Sequence, residues 1–131
     1  EKPAVFVEMG STEKEWKDKT NGEIIAKTIM SSLENEKKDY KIAVGIGGNH
    51  YCANFNKIML RSDVALSYVC PKYALQNLNE DLIQQSLQKT IEKVDFAVLD
   101  WKGLGTEKKR IVEMLDKLSV KMERTDKILK D

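Results

Sequence analysis

Apolar residues fall into two alternating rhythms along this chain. Short continuous runs alternate with longer stretches in which they recur every three or four positions. A short run bounded by turn residues predicts a buried strand, and the longer period predicts a helix with one apolar face. Runs over Ala4–Met9, Ile42–Gly45, Val64–Val69, Phe96–Leu99 and Val120–Arg124 are therefore expected as strands. Thr20 and Glu23 form a capping box ahead of Ile24, Ile25, Thr28, Ile29 and Leu33. Asn54 is placed to cap a short helix over Phe55–Leu60, and Asn79 one that carries Leu82, Ile83, Leu87 and Ile91. Thr106 is placed to cap a last helix with Ile111, Val112, Leu115 and Leu118 on one face. Strands alternating with helices imply an α/β domain, a three-layer sandwich with a largely parallel or mixed sheet flanked by helices. With no internal repeat and no long linker, one domain over residues 1–131 is the simplest organisation.

That order carries a consequence for chemistry. In a parallel sheet the carboxyl ends of the strands share one edge, where ligands bind. The expected strand ends lead into Glu8-Met9-Gly10-Ser11-Thr12, Gly47-Gly48-Asn49-His50-Tyr51, Pro71-Lys72-Tyr73 and Asp100-Trp101-Lys102-Gly103. Each pairs a polar group with a Gly or Pro, and together they would bring Glu8, His50, Lys72 and Lys102 to one edge. His50 is the only histidine in the sequence. It follows glycines that let backbone approach a ligand closely, and a histidine can titrate, bind metal or donate a hydrogen bond near neutral pH.

Composition adds little to this picture. The 22 basic residues nearly cancel 21 acidic ones, so a nucleic-acid surface would have to be a local patch. Cys52 and Cys70 form no CxxC pair and sit among apolar or glycine neighbours, which suits reduced thiols in a cytoplasmic protein. No apolar run approaches a membrane span, and no signal-peptide pattern opens the chain.

The four segments, with Trp16 after the first, resemble the archaeal and plant type of D-aminoacyl-tRNA deacylase, in that family's order and at compatible spacing. The resemblance runs over essentially the whole chain and places it as the C-terminal half of a longer protein. It implies hydrolysis of the ester between a D-amino acid and the 3′ end of tRNA, with zinc as cofactor. It also implies a fold like that of nucleoside phosphorylases and peptidyl-tRNA hydrolases. D-aminoacyl-tRNA is the expected partner, of a monomeric protein without membrane contact. One departure is local: after His50-Tyr51 the family continues with a proline and a basic residue, where this chain has Cys52-Ala53-Asn54.

Ester hydrolysis needs an activated water, donors for the oxyanion and a seat for the terminal nucleotide. His50, Glu8 and Lys102 are the candidate catalytic residues. His50 would deprotonate water or ligate the zinc that does so. The N–H groups of Gly47, Gly48 and Asn49 are candidates for the oxyanion. Glu8 or Asp100 would take the substrate's α-ammonium group, Lys72 and Lys102 the terminal phosphates, and Tyr51 or Tyr73 would stack on adenine. Plainer readings stand beside these: His50 as a turn residue, Cys52 as a small packed hydrophobe, Trp16 and Trp101 as packing residues. Glu107-Lys108-Lys109-Arg110 reads as the solvated first turn of a helix. The alternative function is a non-catalytic tRNA- or nucleotide-binding module.

Overall fold

A computed structural model describes residues 7–34 and 39–129. The chain divides into two compact units, Glu1–Lys38 and Asp39–Asp131. The first holds two helices, α1 (Glu13–Lys17) and α2 (Lys19–Glu34). The Glu15 carboxylate accepts the backbone N–H of Thr12 at 2.8 Å and its hydroxyl at 2.6 Å, which anchors the start of α1. The expected cap at Thr20 is not used. Helix α2 starts earlier, and the Thr20 N–H donates to Asp18 Oδ1 at 2.8 Å. The apolar residues of α2 are largely exposed within this unit, Leu33 by 75%.

A first strand over Ala4–Met9 is not found where it can be checked. Residues 4–6 lie outside the described residues, and 7–9 adopt no regular structure. A strand exists only through a paired neighbour, and no described strand pairs with Val7–Met9.

The second unit is the α/β fold the pattern predicts. Its strands are β1 (Lys41–Ile46), β2 (Val64–Cys70), β3 (Phe96–Leu99) and β4 (Met122–Arg124), and its helices are α3 (Ala53–Arg61), α4 (Glu80–Lys89), α5 (Lys108–Lys117) and α6 (Thr125–Ile128). The sheet order is β2-β1-β3-β4 and every pairing is parallel. Alternation along the two central strands explains the layers. Val44, Ile46, Ala97 and Leu99 face Ile83 of α4 and Ile111 and Leu115 of α5. Ala43, Phe96 and Val98 face Phe55 and Ile58 of α3, with Ile128 and Leu129 packed on the same side. Strands buried on both faces read as continuous apolar runs, so β1 and β3 stood out in the sequence. Each fully buried side chain of this size contributes about 1.5–3 kcal/mol.

Capping follows the expectation at one helix and departs from it at two. Asn79 caps α4 through its Oδ1, which accepts the Leu82 N–H at 2.9 Å. Thr106 does not cap α5, because a 3₁₀ turn over Gly105–Glu107 intervenes and the helix begins at Lys108. Asn54 lies inside α3, whose N-cap is Cys52 in the left-handed region at φ 51°. Between β2 and α4 the chain forms a 3₁₀ helix, Lys72–Asn77. Arg110 holds it from below, donating to the carbonyls of Leu78 (2.6 Å) and Leu75 while Nε pairs with Glu107 (2.7 Å). The Glu107–Arg110 cluster is therefore not simply a solvated turn.

Candidate active site

The strand order reverses between β1 and β3, since the chain moves from β1 out to β2 and then crosses to β3 on the other side. In such sheets the crevice beyond the carboxyl ends at the reversal is where ligands bind. The two loops there are the glycine turn after β1 and Asp100–Leu104 after β3. The Asp100 N–H donates to Ile46 O at 2.9 Å, which extends the strand pairing into the loops. Gly47 has φ +105°, a region that favours glycine, and any side chain on it would meet Leu104 and the Asp100 carbonyl. Gly103 packs so closely on the Gly47 carbonyl oxygen that a methyl group on it would overlap that atom. Behind the turn, the buried Phe55 ring lies against Gly45 and Gly48. The glycines thus bring two strand-end loops and a helix into contact.

The backbone donors divide unevenly. Gly47 N–H is committed to Cys70 O at 2.8 Å, so it is not an oxyanion donor as expected. Gly48 O accepts the Lys72 N–H at 2.7 Å, tying the 3₁₀ helix to the turn. The N–H groups of Gly48 and Asn49 have no acceptor among the described residues. Those two remain candidates for the oxyanion.

His50 is exposed on the same turn, its ring 5.0 Å from that of Tyr51 and 6.2 Å from that of Tyr73. Both tyrosines are open to solvent, Tyr51 by 81%. The three rings form an aromatic group on the β2 side of the reversal, suited to stacking on a base. Asp100 lies on the β3 side and is only 8% exposed. Its Oδ2 accepts Asn54 Nδ2 at 3.0 Å, and its Oδ1 faces the Gly103 N–H at 3.4 Å. Lys72 and Lys102 are exposed and form no ion pair among the described residues. Trp101 is packed, with Lys108 Nζ 4.6 Å and the Arg124 guanidinium 4.7 Å from its ring centre. Glu8 belongs to the first unit, where it lines a hollow with Trp16 and Ile25. The structure therefore gathers His50, Gly48, Tyr51, Lys72, Tyr73, Asp100 and Lys102 along one edge of one unit. Asn54 joins them unforeseen, through a contact 46 residues apart in the chain.

Both cysteines are free. The Cys52 thiol turns to Asn49 O at 3.2 Å; burial and then the Asp100 charge push its pKa up. Burial raises Cys70 as well. Neither is an activated nucleophile. A zinc site needs three or more protein ligands, and among the described residues no three His, Cys, Asp or Glu side chains come together. These residues by themselves do not fit a zinc ion. No helix among the described residues is long and apolar enough to cross a membrane.

Comparison with known proteins adds an independent line. The family model described as D-aminoacyl-tRNA deacylase matches residues 1–123. A Pyrococcus furiosus protein named D-aminoacyl-tRNA deacylase is 42% identical over 115 residues, covering 88% of this chain and 42% of the relative. One of the same name from Methanocaldococcus jannaschii is 41% identical over 127 residues, covering 93% of this chain and 48% of the relative. The chain thus spans under half the length of these relatives. A crystal structure of a conserved protein of unknown function superposes with a TM-score of 0.80 at 29% identity, covering 93% of this chain and 43% of the other.

Proposed function

The chain belongs to the D-aminoacyl-tRNA deacylase family, and from that premise we propose that the edge beyond β1 and β3 serves hydrolysis of the ester linking a D-amino acid to tRNA. The observation that carries this reading is the glycine turn at the strand-order reversal. It presents His50 and two unpaired backbone donors side by side. In the proposed reaction water adds to the ester carbonyl while the His50 imidazole accepts the water's proton. The oxyanion formed is met by the N–H groups of Gly48 and Asn49, one such donor typically contributing about 3 kcal/mol. Collapse of the tetrahedral adduct breaks the bond to the ribose oxygen, which leaves with the proton returned from His50. The products are a free D-amino acid and tRNA. Tyr51 or Tyr73 stacks on the terminal adenine, and Lys72 and Lys102 pair with phosphates.

The test is deacylation of matched D- and L-tyrosyl-tRNA by the protein as its gene encodes it, with metal analysis of the same preparation. His50→Ala is expected to lower the D-specific rate by far more than tenfold with the fold intact. A loss below tenfold, about 1.4 kcal/mol of barrier, would make His50 a turn residue only. Zinc found in the preparation would take ligands beyond the side chains of this edge.

A further inference from the structure

The loop after β3, the end of β4 and α6 line a cleft of 260 Å³ whose walls include Asn54, Asp100, Trp101, Lys102, Arg124 and Leu129. That volume falls below the ~300–1,000 Å³ of pockets for drug-sized ligands, and suits a group the size of one amino acid. Its charged side chains are Asp100, Lys102, Arg124 and Asp126. Arg124 and Asp126 neutralise each other through two hydrogen bonds of 2.8 and 2.7 Å. Asp100 is buried yet holds only neutral donors, the Asn54 amide and the Gly103 N–H, with no cation in ion-pair contact among the described residues. A buried carboxylate with no cation in direct contact is costly, and an ammonium group brought against it by a ligand relieves that cost.

We propose that this cleft is the aminoacyl subsite, in which Asp100 receives the substrate's α-ammonium group and Asn54 is the positioning residue that aims it. The proposal rests on the deacylase reading. Asn54 Nδ2 holds one carboxylate oxygen at 3.0 Å and the Gly103 N–H faces the other, so the carboxylate cannot rotate freely. Each oxygen keeps a further lone pair for an ammonium donor. Leu129 and the Trp101 ring offer apolar surface to the amino-acid side chain. The glycine turn abuts this wall, since Gly103 packs on the Gly47 carbonyl and Asn54 immediately precedes Phe55, whose ring touches Gly48. Ammonium, side chain and ester carbonyl would then each have a fixed seat. Three fixed seats are what an enzyme needs to tell one enantiomer from the other.

The experiment compares two non-hydrolysable ligands, an adenosine bearing a D-alanyl group through a 3′-amide and its counterpart lacking the α-amine. Binding is followed by Trp101 fluorescence or calorimetry. The parent protein is expected to bind the amine form at least tenfold more tightly. Asp100→Asn and Asn54→Ala should bring the two affinities within about twofold, while Asn54→Gln, which keeps an amide donor, restores part of the difference. Equal affinities in the parent would overturn the proposal without recourse to any variant. An Asn54→Ala protein that keeps the full preference would remove Asn54 from it. Deacylation of D-aminoacyl-tRNA in the same preparations separates the two readings. Turnover without amine preference rejects the subsite alone, and amine preference without turnover rejects the deacylase reading alone.

Discussion

Gly103→Ala tests whether the two strand-end loops depend on one another. The backbone of Gly103 lies against the Gly47 carbonyl, and an added methyl would overlap that oxygen. Neither atom belongs to a flexible side chain, so relief requires the loop after β3 to lift away from the turn after β1. Overpacking of this kind costs about 1–3 kcal/mol and more when backbone must move. Replacing glycine by alanine returns about 0.4–1 kcal/mol through the unfolded chain. With the cost at the upper end of that range, because backbone atoms meet, the net expectation is a loss of about 2–2.6 kcal/mol. For a urea slope of about 1.5 kcal/mol/M, the midpoint falls by about 1.3–1.7 M with the slope unchanged. Gly22→Ala is the control, because in α2 an added methyl meets nothing within 4 Å; it should be neutral or stabilising by up to about 1 kcal/mol. A Gly103→Ala midpoint within about 0.3 M of the parent would refute the close approach. The site would then lack the contact that joins its two halves.

Two further outcomes are expected. Because burial and the Asp100 charge raise the Cys52 thiol, its alkylation in a Cys70→Ala background should begin at higher pH than that of an ordinary thiol. Asp100→Asn should move that onset down, and a pH profile the substitution leaves in place would separate Cys52 from the Asp100 field. Lys102→Ala should weaken tRNA binding more than Lys109→Ala, since Lys109 sits on an exposed helix face 3.8 Å from Glu113. Equal losses with equal salt dependence would mean that tRNA contact is diffuse.

What the sequence reveals and what it hides separate along physical lines. The strands at Ile42–Gly45 and Phe96–Leu99 were legible because their burial is written as local apolar runs; Val64–Val69, an edge strand of which only Val64 is buried, was legible from its apolar and aromatic content. The expected strand at Ala4–Met9 shows the limit of that signal: an apolar run fits a strand only if a neighbour pairs with it, and 7–9 have none among the described residues. Helix starts depended on competition. Asn79 had no rival for its side chain and caps α4, whereas Asn54 was drawn into a long-range bond with Asp100. Arg110 similarly reads as a surface cation until the carbonyls of Leu75 and Leu78 are folded above it.

The same division runs through the candidate site. That His50 stands in a glycine turn at a strand end follows from a few neighbouring residues, and the fold keeps it there. Which N–H groups of the turn are free does not follow from them, because Cys70 in the adjacent strand takes one donor and leaves the next two. The role of Asp100 depends equally on distant partners. A carboxylate with only neutral donors in a small cleft is a different chemical object from one paired with a lysine, and the residues after β3 alone are compatible with both. Strand order decides between them. By placing β1 beside β3, it sets Asn54 against Asp100, whereas the Gly103 contact and the Arg124–Asp126 pair are local. The carboxylate is left with neutral donors and no ion-pair partner among the described residues, so binding of a cationic ligand there should be sensitive to Asn54, the residue that local reading assigned to a helix cap.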